Sequence, residues 1–228
     1  MCSSDLNVDL LTRQGDMLHR TGLDEQARVF YLKAILYEPK HFGAHLGLAE
    51  IDLRFGFLDR SASHYETALE TLDGRADVWR SYSQTLLAER EWATADLAIA
   101  RAISLEPNNP EGHVLTAFAR RAQGDATGAL SALDDALALG AGVGARRAKA
   151  LWLFEADRPA EALAEADLVL KESPDDAAAL WARAQAQLAR GLPAKAASEL
   201  APLTAAARLD FPARAARGLR DRLAAAPK

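Results

Sequence analysis

The sequence predicts an all-α protein: an α-α superhelix of about six helix-turn-helix repeats, followed by a C-terminal capping helix. Three observations predict this fold. Alanine accounts for 50 of the 228 residues, and an excess of alanine favours helices. Small residues recur every 33 or 34 residues along most of the chain. Between them, apolar residues recur at i, i+3, i+4 and i+7, which is the pattern of amphipathic helices.

Composition excludes several other classes of protein. Half of the residues are hydrophobic and the net charge is only −5, so a disordered chain is not expected. The single Cys2 excludes a disulfide scaffold, and every stretch of eighteen residues contains a charge, so no membrane span is expected. A net negative charge also argues against general nucleic-acid binding, which needs a basic surface.

The first residues do not fit the repeat pattern. Residues 1–6 match the translation of the end of a common sequencing adapter, read with GTG as the start codon. We therefore predict that residues 1–7 are non-native, with a natural disordered start as the alternative. On that interpretation Cys2 says nothing about redox compartment, and the natural start of the protein is missing.

Three columns of small residues define the repeat. Two helices approach closely only where their facing side chains are small, so each column predicts a contact between helices. The first column is Gly15, Ala49, Ser83, Ala117, Ala150 and Ala184; the second is Ala27, Ser61, Ala95, Ala129, Ala162 and Ala196; the third is Ala34, Ala68, Ala102, Ala136, Val169 and Leu203.

Other columns keep the same period. A glycine at a helix end tolerates the positive φ of a tight turn, and such a column runs through Gly22, Gly56, Gly124 and Gly191, with Arg90 and Asp157 in the third and fifth units. The column Tyr31, Tyr65, Ile99, Leu133, Ala166 and Leu200 is bulky in five units. The predicted units are 8–41, 42–75, 76–109, 110–142, 143–176 and 177–207.

With these columns the sequence resembles the tetratricopeptide repeat family, whose unit has 34 residues, small residues at three positions, an aromatic residue in the second helix and a proline near the end. The resemblance covers almost the whole chain, and Pro39, Pro107 and Pro174 supply the proline in three units. It implies a solenoid in which stacked units share one continuous core.

The resemblance also implies a binding surface. Ligands of the family usually lie in the concave groove, on the first helix of each unit, at its second, fifth, sixth, ninth, twelfth and thirteenth positions. The partner-binding residues predicted in this way are Arg54, Arg80, Gln84, Leu115, Phe118, Arg121, Arg147, Leu151, Phe154 and Trp181. We expect Phe118, Leu151, Phe154 and Trp181 to act as apolar anchors; the alternative is that some of them pack on neighbouring helices.

Some members of the family bind a carboxylate through a lysine and an asparagine in the first repeat. Here the matching positions hold Thr12 and Asp16, and an acidic residue repels a carboxylate. We therefore do not expect that type of ligand.

No catalytic constellation is evident, and no metal or cofactor is expected. His41 and His45 could share a helix face, but they stand at a repeat junction and are interpreted as solvated. The glycine-rich segment 140–144 lacks the preceding strand and the Gly-Lys-Ser/Thr ending of a phosphate-binding loop. We interpret it as the turn between the fourth and fifth units.

Residues 208–228 predict a C-terminal capping helix and tail, because terminal repeats need a polar outer surface. Asp210 and Pro212 suit a helix start, and four arginines lie mostly away from the apolar face. The alternative interpretation of these arginines is a basic patch for an acidic partner.

The predicted function is a non-catalytic scaffold that binds a protein or peptide partner. The alternative is a repeat module of a larger, truncated bacterial enzyme, such as a transferase or oxygenase, in which the repeats position a substrate or partner. Alanine and arginine usage indicates a bacterium with GC-rich DNA. The lack of a recognisable signal peptide predicts a cytoplasmic protein, and the sequence does not indicate an oligomeric state.

Overall fold

The computed structural model describes the backbone of residues 3–205 and the side chains of residues 7–201. Every regular element in that part of the chain is an α-helix, which confirms the predicted fold class. The twelve described helices form six helix-turn-helix pairs. The pairs are α1 (Ser3–Arg20) with α2 (Asp24–Tyr37), α3 (Phe42–Phe55) with α4 (Leu58–Leu72), α5 (Ala76–Glu89) with α6 (Trp92–Leu105), α7 (Pro110–Ala122) with α8 (Ala126–Ala138), α9 (Val143–Glu155) with α10 (Pro159–Glu172), and α11 (Ala177–Ala189) with α12 (Pro193–Ala205).

The structure describes part of the predicted N-terminal segment but not the predicted C-terminal capping helix. Helix α1 begins at Ser3, within the segment 1–7 that the sequence predicts as non-native or disordered. The predicted capping helix at 208–228 lies outside the described residues. None of the described helices is long and apolar enough to cross a membrane.

The chain divides into two compact units, with the boundary between Ala119 and Arg120 in α7. In the first unit α1 packs on α2, α3 on α4, and α5 on α6, while α2 and α4 each pack on the first helix of the following pair. In the second unit α9 packs on α8, α10 and α11, and α11 packs on α12. Within each unit, therefore, neighbouring helix pairs build a shared core.

The small columns lie in these cores. All described members of the three columns are buried, and Ala49, Ala95 and Ala162 have no exposed surface at all. The bulky column beside them, from Tyr31 to Leu200, is at most 3% exposed. The alanine excess therefore marks helix contacts, as the repeat pattern predicts.

The predicted glycine column lies at the ends of the first helices, and all six of its residues have positive φ. Gly22, Gly56, Gly124 and Gly191 have φ between 72° and 86°. Arg90 and Asp157, which replace glycine in this column, adopt φ of 67° and 56°. The backbone thus imposes the left-handed turn even where the residue disfavours it.

Candidate partner-binding surface

The first helices of the first two pairs border an open cavity of about 430 Å³. It lies on the face where the sequence predicts partner contacts. Its lining consists of Asp16, His19 and Arg20 from α1, Tyr31 from α2, and Gly43, Leu46, Gly47 and Glu50 from α3.

Two close approaches of Tyr31 shape this cavity. A Cβ atom added to Gly47 would lie 2.3 Å from the Tyr31 Cζ atom, and one added to Gly15 would lie 2.5 Å from Cε1. The ring therefore fills the space between α1 and α3 that side chains at these two positions would need. Its hydroxyl donates a hydrogen bond of 2.8 Å to Asp16 Oδ1. Glycine at these positions lets the two helices approach the Tyr31 ring closely.

His19 links the carboxylates beside the cavity. Its Nδ1 atom lies 2.7 Å from Asp24 Oδ1, and its Nε2 atom lies 3.3 Å from Glu50 Oε2. Arg54 Nη1 donates to the other oxygen of Asp24 at 2.7 Å. Desolvation raises the pKa of Glu50 above its ordinary value, although the neighbouring His19 offsets part of this effect. The cavity lining thus contains two carboxyl groups, of Asp16 and Glu50, beside the basic side chains of His19 and Arg20.

Two predicted arginines of the first unit have ion-pair partners. Arg54 pairs with Asp24, as above, and half of its side chain remains exposed. Arg80 lies 2.7 Å from Glu106 and 3.0 Å from Glu111, and its side chain is only 13% exposed. A partner that engages Arg80 would have to compete with these two carboxylates.

The other predicted residues of the first unit differ in exposure. Gln84 is exposed on α5, and Phe118 is 47% exposed on α7. Leu115 departs from the expectation, because it is buried against Ile99 and Ala119 in an apolar cluster. Leu115 is therefore a core residue in this structure, and its burial follows from its packing between α6 and α7.

In the second unit two predicted arginines form ion pairs across neighbouring first helices. Arg121 contacts Glu155 and lies 5.9 Å from the centre of the Trp152 ring. Arg147 contacts Asp176, which is the N-cap residue of α11. Burial alone would raise the pKa of this carboxyl, but the hydrogen bonds from Arg147 and from the Ala179 amide outweigh it, so that the pKa lies below its ordinary value.

The predicted apolar anchors of the second unit are half-buried. Leu151 packs on the cluster of Ala150, Ala166 and Ala182, and Phe154 packs on Leu130 and Leu153. Trp181 packs on the cluster around Leu180. Each of these side chains therefore packs partly on neighbouring residues, as the alternative expectation has it, and the rest of each side chain remains accessible.

Solved structures share this arrangement of helices. No family model matches the sequence, and no curated protein matches it either. PilF of Pseudomonas aeruginosa superposes with a TM-score of 0.76 at 18% identity, over 95% of this chain and 99% of that one. PilW, a type IV pilus biogenesis factor, gives 0.79 at 19% identity, over 91% and 97%. A tetratricopeptide repeat protein from Parabacteroides merdae gives 0.71 at 16% identity, over 96% and 85%.

The chain has the tetratricopeptide repeat fold. At these identities the likeness concerns the fold. It confirms what the resemblance implies about architecture, and the binding residues stay predictions.

The junction between the first two tetratricopeptide repeats corrects one interpretation. His41 and His45 are 8% and 7% exposed, so they are not solvated. His41 is the N-cap of α3, because its Nδ1 atom accepts a hydrogen bond of 3.2 Å from the Ala44 amide. His45 Nε2 donates to the Pro39 carbonyl at 2.8 Å. Both rings therefore stabilise the junction through hydrogen bonds to its backbone. Residue type and spacing alone do not indicate this role.

The first two tetratricopeptide repeats also contain a charged cluster that the sequence alone does not indicate. Asp52 of α3 is completely buried, 2.7 Å from Arg28 of α2 and 3.3 Å from Arg60 of α4. His64 Nε2 lies 3.8 Å from Asp52, and its Nδ1 lies 2.9 Å from His45 Nδ1. These contacts join three helices, so we interpret the cluster as structural. Only the packing of α2, α3 and α4 brings these residues, which are distant in sequence, together.

The described residues contain no group of three or more His, Cys, Asp or Glu side chains that could hold a metal ion. The glycine-rich segment 140–144 follows helix α8 and leads into α9, with Gly140 at φ 89°. A helix thus stands where a phosphate-binding loop needs a strand, which agrees with the interpretation as a turn between repeats.

Proposed function

We propose that this protein is a non-catalytic scaffold whose first helices bind a segment of a partner protein. One observation carries the proposal: the cavity between α1 and α3 is lined at the positions where the family resemblance implies ligand contacts. A core contact between these helices would leave no such space. An open space lined by polar groups suits a segment that brings its own hydrogen-bond donors.

The chemistry of the two units suggests how such a segment is held. Asp16 and Glu50 in the first unit accept hydrogen bonds from backbone amides or from a cationic side chain. Phe154 and Trp181 in the second unit offer half-buried aromatic surface, the kind of side chain that contributes most to binding energy at interfaces. We infer that the first unit by itself offers a polar binding surface and that the second unit by itself offers an apolar one.

Two further expectations belong to this proposal. The partner is a protein or peptide, because the net charge of −5 does not suit nucleic acid. The protein acts in the cytoplasm. The alternative function, a repeat module of a larger enzyme, is tested by reading the genomic sequence on both sides of the gene: a catalytic domain in the same reading frame would support it.

The test begins with a displayed library of random peptides selected on the immobilised full chain. The affinity of the selected peptides is then measured by calorimetry for Glu50→Lys, Phe118→Ala and Phe154→Ala. Leu97→Ala is the matched control, because Leu97 is 73% exposed on the second helix α6. We expect at least one of the three variants to weaken binding by about tenfold or more, which corresponds to roughly 1.4 kcal/mol. Peptides that bind all three variants as tightly as the unchanged chain would refute the proposed surface.

A further inference from the structure

The outer face of α1 exposes residues whose equivalents are buried in the following pairs. The register is given by the first small column: one position stands five residues before it and another stands two residues after it. In α3 these positions hold Ala44 and Ile51, neither of which has exposed surface. In α5 they hold Val78 and Thr85, at 2% and 0% exposure.

The same positions in α1 are Leu10 and Met17, which are 55% and 61% exposed. In α3 and α5 the second helix of the preceding pair packs on the first helix, as α2 does on α3 and α4 does on α5. The outer face of α1 therefore continues the repeat-to-repeat interface. What fits it is an apolar helix face, since the end of a repeat array that faces water needs polar residues instead.

Helix α2 carries an apolar helix face of that kind. Val29, Leu32 and Leu36 lie at i, i+3 and i+7, and they are 50%, 46% and 78% exposed. The equivalent positions, counted from the second small column, are Ser63, Glu66 and Glu70 in α4, Leu97, Ala100 and Ser104 in α6, Ser131, Asp134 and Ala138 in α8, and Ala164, Asp167 and Lys171 in α10. Among these helices only α2 has three large apolar residues there.

We propose that two copies of this chain associate through their first helix pairs, with the outer face of α1 in one copy against the apolar stripe of α2 in the other. Both faces belong to the same pair, so a two-fold axis buries each of them twice and closes the assembly as a dimer. Inside one chain α2 already uses its buried Ala27, Tyr31 and Ala34 against α3, so the exposed Val29, Leu32 and Leu36 leave a second apolar face of α2 for the partner. The inference is independent of the proposed peptide-binding function.

The experiment is the molar mass of the full chain in solution, by light scattering after size exclusion, across a series of concentrations. The unchanged chain should approach twice the 24.6 kDa of a monomer. Met17→Glu and Leu32→Glu each bury an unpaired carboxylate in the proposed interface, so each should raise the dissociation constant at least about tenfold. The matched control is Leu97→Glu, since Leu97 is an exposed leucine in the same register on α6. It should leave the dimer unchanged.

Three results would overturn the proposal. The first is an unchanged chain that stays monomeric throughout, whatever other molecule covers the face. The second is a dimer that resists both Met17→Glu and Leu32→Glu, and the third is a dimer that only one of them weakens. Circular dichroism of each variant establishes that its helices are intact, so that a monomer reflects loss of the interface.

Discussion

The left-handed turn after α5 offers a quantitative test of the repeat register. Arg90 occupies this turn with φ 67° and ψ 24°, where the equivalent Gly56 after α3 has φ 78° and ψ 17°. We predict that Arg90→Gly stabilises the protein and that Gly56→Arg destabilises it. The two substitutions exchange the same residue types between two equivalent turns, so they serve as each other's control.

The magnitude follows from two opposing effects. A side chain in the left-handed region costs roughly 1–2 kcal/mol, whereas glycine loses roughly 0.5–1 kcal/mol through its greater freedom in the unfolded chain. The net expectation for Arg90→Gly is therefore a gain of roughly 0–1.5 kcal/mol, with a midpoint of about 0.75 kcal/mol. No atom lies within 4 Å of a Cβ placed on Gly56, so Gly56→Arg should lose a similar amount through backbone conformation rather than through a clash.

The assay is thermal and urea-induced unfolding followed by far-ultraviolet circular dichroism. For a chain of this size 1 kcal/mol shifts the melting temperature by roughly 2–4 °C, so both changes are measurable. Opposite shifts of similar size would support the reasoning. A destabilised Arg90→Gly together with an unaffected Gly56→Arg would show that the backbone conformation is not what distinguishes the two turns.

Three other predictions concern residues of the first compact unit. Ala95→Trp should destabilise the third pair by roughly 1–3 kcal/mol or more, because Ala95 is fully buried; unchanged thermal unfolding would contradict the register. Gly47→Ala should destabilise through its clash with Tyr31, and Tyr31→Leu in the same chain should recover part of the loss, as urea unfolding of both variants would show. Burial and the nearby His45 lower the pKa of His64, so the unfolded chain, with a histidine pKa of about 6.5, binds more protons below that pH. Stability should therefore fall as the pH drops through about 6.5, the pKa of histidine in the unfolded chain, and it should fall less in His64→Gln.

The sequence predicts the helices and their contacts well because the repeat supplies internal comparisons. One alanine is ambiguous, but a small residue at the same phase in six units indicates a contact that each unit needs. The same comparison explains Arg90 and Asp157: their column contains glycine elsewhere, and the structure gives all six positions positive φ.

Side-chain roles on the first helices were harder to predict. Projection of the family's binding positions gives residues on one helix face, but it does not say how deeply a neighbouring helix covers each one. Leu115 lies at such a position and is nevertheless buried, whereas Phe118, one turn further along, is exposed. His41 and His45 show the same limit, because they contact Thr12 and His64, which are 29 and 19 residues away in the sequence.

The exposed apolar face of α2 shows that comparing equivalent positions is informative outside the columns of small residues as well. The three positions that hold Val29, Leu32 and Leu36 in α2 are exposed. In several of the helices α4, α6, α8 and α10 the equivalent positions hold serine, glutamate, aspartate or lysine. These three side chains are exposed, so the core of the first pair does not require them to be apolar. The proposed dimer supplies a reason for apolar side chains there, because the exposed Leu10 and Met17 on α1 place a surface of matching chemistry in the same helix pair. A dimer through this pair accounts for both departures at once, whereas an isolated monomer would leave two apolar faces in water.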